Sequence, residues 1–158
     1  MRDRLQRARP VLAFIALCYI PLLLTSPGQV VADTKSYLYL DPGRLLSRAG
    51  SMWDPHVGLG TVTHQNIGFL WPMGPYYWLM EQAGVPDWAA QRLWLGSIMC
   101  AAGFGVRYLL RTFGWRGPGV AVAMVAYACT PYLLTIAVRI SAILLPFAAL
   151  LGAIEAAG

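Results

Sequence analysis

Charge is what this 158-residue sequence has least of. Asp, Glu, Lys and Arg make up only 12% of it, against 58% hydrophobic residues. A soluble domain carries about twice that charge. With a mean hydropathy of +0.54, the chain falls among integral membrane proteins. Cysteine is also sparse. Cys18, Cys100 and Cys129 all lie inside apolar runs, have no metal-ligand spacing and cannot all pair, which points to small buried residues. No glycine-rich phosphate loop, Ser/His/Asp order or Cys/His nucleophile stands out. Repeats, low-complexity tracts and charge blocks are absent. The net charge of +5 is no nucleic-acid signal, because basic residues interleaved with aromatics over a soluble surface are missing.

What charge there is reports topology. Arg2, Arg4, Arg7 and Arg9 precede the first apolar run, and Arg107, Arg111 and Arg116 lie between two later ones. The positive-inside rule puts both groups in the cytoplasm. The pattern predicts spans over about 10–27, 88–110 and 117–138, with a partial fourth over 140–154. The third is the clearest, with 22 uncharged residues from Gly117 to Val138 and Pro131 as a predicted kink. Arg92, one turn inside the outer end of the second, is placed to snorkel. A cleaved signal peptide is the rival reading of the first run, with Val30-Val31-Ala32 as its small-residue site. In either case the residues after Ala32 face outward. The fourth run is too short to cross comfortably. The expectation is one membrane domain over 1–158 that forms an N-terminal piece of a larger module, or a truncated homologue.

The outer loop, about 28–87, is too long for a plain connector. It opens on Asp33, which follows 23 uncharged residues from Pro10 to Ala32 and so sits at the water–lipid boundary. Tyr37, Leu38, Leu45 and Leu46 stand near helical spacing around Asp41-Pro42, which suits a short amphipathic helix after a turn. Ser51 to Gly60 is turn-rich. Phe69 to Met80 is dense in aromatics and too interrupted by Pro and Gly for a span. It reads as a helix lying in the outer interface.

Five stretches carry a family resemblance. Phe69-Leu70-Trp71-Pro72-Met73-Gly74-Pro75-Tyr76-Tyr77-Trp78, followed by Trp88-Ala89-Ala90-Gln91-Arg92-Leu93, is similar to the Pro-Tyr-Tyr-Trp and Ala-Ala-Arg-Leu stretches of GT-C glycosyltransferases, multispan enzymes that use lipid-phosphate-linked sugars. More specifically, Ala32 to Pro42, Ser51-Met52-Trp53-Asp54-Pro55 and Arg139 to Pro146 resemble the N-terminal region of the large actinobacterial α-(1→3)-arabinofuranosyltransferases of cell-wall assembly. The resemblance covers about residues 10–150. It implies an all-α integral membrane fold, a GT-C-like N-terminal part with three to four transmembrane helices and a large outer first loop containing short interfacial helices. It also implies the plasma membrane as location. The family's further spans and carbohydrate-binding modules are not in this sequence.

The implied reaction moves arabinofuranose from decaprenyl-phosphoryl-arabinofuranose to a polysaccharide acceptor, cell-wall arabinan. Inverting transfer needs a base for the acceptor hydroxyl, and a carboxylate serves while its charge stabilises the cation-like anomeric carbon. The family places that carboxylate in the first outer loop, which nominates Asp33; the plainer role for it is capping the helix start before Thr34. Asp41 and Asp54 both precede Pro and read first as turn or helix-start residues. Lys35 and Arg139 are candidates for the donor phosphate, with an interface anchor as the alternative for Arg139. Arg44 and Arg48, spaced i,i+4, read as a solvated face. His56 and His64 with Asp54 offer a thin basis for a divalent cation. Trp53, Trp71, Tyr76, Tyr77 and Trp78 suit stacking on sugar or lipid, and interface anchoring equally. Arg107, Arg111 and Arg116 mark topology and are candidates for anionic membrane lipids or an acidic cytoplasmic partner. Two other functions compete: a non-catalytic truncated homologue or assembly subunit, and a transporter of polyprenyl lipids. The transporter would put charges inside its spans, and the third run has none.

Overall fold

Pro10 and Pro21 both lie inside the first helix without ending it: α1 runs Arg2–Leu24. The computed structural model describes residues 2–31, 37–51, 53–56, 58–62, 70–137, 139 and 141–149. The remaining elements are α2 (Tyr37–Leu40), α3 (Pro42–Arg48), β1 (Trp53–Asp54), β2 (Thr61–Val62), α4 (Met73–Gln82), α5 (Asp87–Thr112), α6 (Pro118–Ala128) and α7 (Pro131–Ala137). A 3₁₀ turn, Ser141–Ile143, leads into a last helical stretch over 144–149.

α5 is the axis of the fold, and α1 and α6 pack along it. Glycines allow α1 to come close. A Cβ added at Gly96 would run into the Tyr19 ring, and one at Gly103 into the Phe14 ring. The two glycines are seven residues, or about two turns, apart and so share a face. Phe14 and Phe104 meet edge-on at 5.5 Å, and Tyr19 Oη lies 2.9 Å from Ser97 Oγ. Cys18 and Cys100 are buried free thiols in this core, and Cys129 is half-buried.

Glycine also ends two helices. Gly84 and Gly114 sit at φ +70° and +77°, a region other residues enter at a cost. After α5, Gly114 N–H donates to the Arg111 carbonyl at 3.0 Å and Trp115 N–H to Leu110 at 2.9 Å. After α4 the same pair of bonds runs from Gly84 to Glu81 and from Val85 to Met80. Both ends thereby satisfy carbonyls that the helix leaves unpaired.

α5 and residues 118–136 are each long and apolar enough to cross a membrane; the apolar part of α1, Arg9–Leu24, is shorter. The predicted kink is present as a break. Pro131 has no N–H for the Tyr127 carbonyl. Thr130 N–H takes that carbonyl at 3.3 Å, and the Thr130 hydroxyl accepts from Leu133 N–H at 3.3 Å, capping α7. The chain then returns to α6, where Phe147 stacks on Tyr127 at 4.7 Å and 3°.

The segment between α1 and α5 is more varied than an all-α expectation allows. Trp53 pairs with Val62 and Asp54 with Thr61 in a short antiparallel ladder. Strands of two residues carry no readable alternation, so nothing in the pattern announces them. α2 and α3 pack on α4, and α2 and α4 rest on α5. Leu38, Tyr39, Met73 and Tyr77 are buried there.

Candidate functional site

Two polar residues at the head of an apolar helix hold the segment that leaves α1. Gln91 lies just over one turn into α5 and is fully buried. Its Oε1 accepts from Val31 N–H at 2.8 Å, and its Nε2 donates to the Val31 carbonyl at 2.8 Å. The Tyr39 hydroxyl reaches the same carbonyl at 3.4 Å. Arg92, next along, donates from a terminal nitrogen to the Gln29 carbonyl at 3.2 Å. Its side chain is not snorkelling as the sequence suggested. It is only 5% exposed, and its Nε has no hydrogen-bond partner among the described residues.

These contacts fix the segment that leaves α1. Thr25 N–H closes the helix onto Pro21 and Leu22, and Gly28, at φ +82°, completes the turn. Gln29 and Val31 then lie against the N-terminal end of α5. Val31 ends the described part of this segment, and α2 resumes the chain at Tyr37. Asp33 and Lys35 fall between them, outside the described residues, as does His64. Val31 is thus bonded to Gln91 of α5, and α2 also packs on α5.

Beyond the Tyr39–Val31 contact lies an aromatic floor. Tyr39 and Tyr77 approach at 6.0 Å, Tyr76 and Tyr77 at 5.2 Å, and Tyr76 and Trp94 at 4.9 Å. Tyr76 donates its hydroxyl to the Ala90 carbonyl at 2.9 Å. Burial, with a smaller part from nearby Tyr19, pushes this phenol up to about 12, so it stays a neutral donor. Trp94 Nε1 donates to the Ser141 hydroxyl at 3.1 Å, both groups buried. That bond brings the turn after α7 to the floor, with Arg139 two residues before Ser141 and exposed.

The predicted site residues therefore separate. Tyr76 and Tyr77 belong to the floor, and Tyr77, at 2% exposure, is packed as core. Trp53, Trp71 and Trp78 are exposed, with Trp71 at 76%. Asp41 is held by the start of α3, where it accepts from Arg44 N–H at 3.1 Å. Asp54 lies in the hairpin. It accepts from His56 N–H at 2.9 Å and pairs with His56 Nδ1 at 3.1 Å and Arg48 at 3.9 Å. The His56 N–H chiefly, then its ring and Arg48, hold the Asp54 carboxyl below its ordinary value, with partial burial opposing. The pair supplies two ligand atoms for a cation, and among the described residues no three His, Cys, Asp or Glu side chains converge. Sequence reasoning missed Gln91, Tyr39, Trp94 and Ser141. The available signal was a Gln-Arg pair inside an apolar helix, since polar groups at membrane depth need internal partners.

Such a site can hold a backbone segment rigidly beside a neutral phenol, a buried guanidinium and an indole. Comparison with known proteins gives the arrangement its relatives. The family model described as α-(1→3)-arabinofuranosyltransferase, N-terminal GT-C domain, matches residues 17–151. The chain is 35% identical over 138 residues to the α-(1→3)-arabinofuranosyltransferase of Mycobacterium tuberculosis, covering 87% of this chain and 10% of that protein. It is 34% identical over 122 residues to the protein of that name from Mycolicibacterium smegmatis, covering 77% and 9%. A cryo-EM structure of arabinofuranosyltransferase AftD from mycobacteria superposes with a TM-score of 0.82 at 33% identity, over 88% of this chain and 11% of that one. The chain thus spans about a tenth of the length of the relatives it matches.

Proposed function

The chain belongs to the N-terminal GT-C domain family of the α-(1→3)-arabinofuranosyltransferases, and from that premise we propose that it builds the first-loop wall of an arabinofuranosyl-transfer site on the outer face of the plasma membrane. The observation that carries this is the two-way hydrogen bonding of Gln91 with Val31. It anchors Val31, two residues before Asp33 in sequence, to α5. A base must be held within a fraction of an ångström of its working position, and a clamp on the backbone two residues away serves that end.

In the proposed reaction the donor is decaprenyl-phosphoryl-arabinofuranose and the acceptor a hydroxyl of cell-wall arabinan. Asp33 takes the hydroxyl proton as the oxygen bonds to the anomeric carbon. The bond from that carbon to the phosphate oxygen breaks, and its electron pair leaves with the lipid phosphate. Lys35 and Arg139 hold that phosphate. Trp71 and Trp78 are exposed next to α4 and within it, where they contact the lipid chain or a sugar face. No step is assigned to a divalent cation.

The proposed topology has a cytoplasmic N-terminus, α5 and residues 118–136 as spans, α1 as a further short one and the segment from Ser141 as the start of a fourth. The basic residues support it: Arg107, Arg111 and Arg116 border the α5–α6 turn. A chimera tests the activity. This chain would replace the matching N-terminal segment of the Mycolicibacterium smegmatis relative, in cells depleted of their own copy. Membranes carrying the chimera are expected to incorporate radiolabel from decaprenyl-phosphoryl-arabinofuranose into arabinan. A stably inserted chimera with no incorporation would contradict the reading.

A further inference from the structure

At the end of α5 remote from Gln91, helices α1, α5 and α6 separate around a cavity of about 890 Å³. That volume lies in the range of small-molecule and lipid sites. Its walls are apolar, formed by Phe14 of α1 and by Val120, Met124 and Val125 of α6. Its mouth is the opposite: Arg107, Arg111 and Arg116 line it, and no acidic side chain among the described residues does.

Nothing within the described fold neutralises these arginines. The described ion pairs all involve Asp54. Arg107 and Arg111 are four residues apart on one helix face, where like charges repel. Gly117 opens α6 without a side-chain cap, so the positive end of that helix adds to the potential at the mouth. Three guanidiniums at one opening form a phosphate-recognition set. Behind them the wall from Gly117 to Val125 runs eight residues along α6, about 12 Å at 1.5 Å per residue. One leaflet of hydrocarbon is about 15 Å deep. A free phosphate would use the mouth and leave the apolar slot open to water. An acidic protein surface would use only the mouth. An anionic lipid uses both.

We propose that this cavity seats an anionic glycerophospholipid of the leaflet next to the basic turn, its phosphate on Arg107, Arg111 and Arg116 and one acyl chain along Phe14, Val120 and Met124. The seat is independent of the transfer reaction. Basic pockets between membrane helices bind anionic headgroups by the same chemistry. Its occupant ties α1 to the α5–α6 hairpin at the end where the arginines repel one another.

Native mass spectrometry of the full chain in neutral detergent tests this, with phosphatidylglycerol and phosphatidylcholine as probes. Phosphatidylglycerol is expected to bind the wild-type chain on the order of a hundredfold more tightly, since each nearby arginine contributes about a factor of five. Replacing Arg107→Gln, Arg111→Gln and Arg116→Gln together should abolish the preference. Ala121→Trp, which fills the slot and keeps the arginines, should weaken phosphatidylglycerol binding at least tenfold. If the triple variant is not recovered folded, Arg116→Gln alone, on the turn, should lose about fivefold. Equal binding of the two lipids would overturn the proposal, as would full phosphatidylglycerol binding by Ala121→Trp. So would displacement of the lipid by millimolar inorganic phosphate or by a polyglutamate peptide, which would assign the mouth to a free anion or to an acidic protein.

Discussion

Gln91 does with one side chain what a neighbouring strand does with its backbone: it donates to and accepts from the same residue. Replacing it by Met keeps the volume and leaves the half-buried Val31 N–H without its side-chain partner at the edge of the core. An unsatisfied group of this kind costs about 1–3 kcal/mol. Gln91→Met is therefore expected to destabilise the fold by about 2 kcal/mol and to speed exchange of the Val31 amide more than that of amides in mid-α5. Unchanged Val31 protection would show that the clamp is not what holds the segment. Asp54 offers a second check at this scale. Its folded carboxyl is lowered, so its contribution is fully present above the unfolded value of about 3.9 and is lost as pH falls through the lowered value. The Trp53 indole resonance should report hairpin loosening only below the ordinary carboxylate range, and Asp54→Asn should remove that dependence. The sequence made Asp41 and Asp54 legible as helix-start and turn residues, because Asp before Pro has few other uses. Arg92 was not legible. Its position in a span suggests reaching for water, but its direction is set by Gln29, a residue 63 positions away.

Elements were easier to read than their rotations. The stretch 88–110 falls within helix α5, Asp87–Thr112, and the stretch 117–138 overlaps α6 and α7, with the break at Pro131. Long apolar runs bounded by Pro, Gly and Arg leave little choice of limits. The β1–β2 ladder left no such trace, and the aromatic block gave α4 without revealing that Tyr77 turns inward while Trp78 turns out. What no pattern announces is which helix α5 touches, because Gly96 and Gly103 acquire meaning only opposite Tyr19 and Phe14. Gly103→Leu should therefore cost about 1–3 kcal/mol through overpacking, read as a lower melting temperature in detergent. Adding Phe14→Ala should recover part of the loss. A double variant no more stable than Gly103→Leu alone would mean that the α1–α5 contact is not the source of the cost.

For the whole molecule, composition pointed to a membrane protein and resemblance to the family, while Asp33 and Lys35, which lie outside the described residues, were legible only in the sequence. Orientation can be measured directly. In a cysteine-free background, Ser51→Cys should react with a membrane-impermeant maleimide on intact cells, and Thr112→Cys only after lysis. Both positions are exposed, so the reverse pattern would invert the topology. Asp33 is the proposed base. General-base catalysis contributes about 10²–10⁴-fold. The most direct measurement is the rate of arabinofuranose transfer by the chimera carrying Asp33→Asn, with membrane insertion checked in parallel. The expected result is a loss of at least about a hundredfold in rate at unchanged insertion; transfer at the rate of the unsubstituted chimera would contradict it.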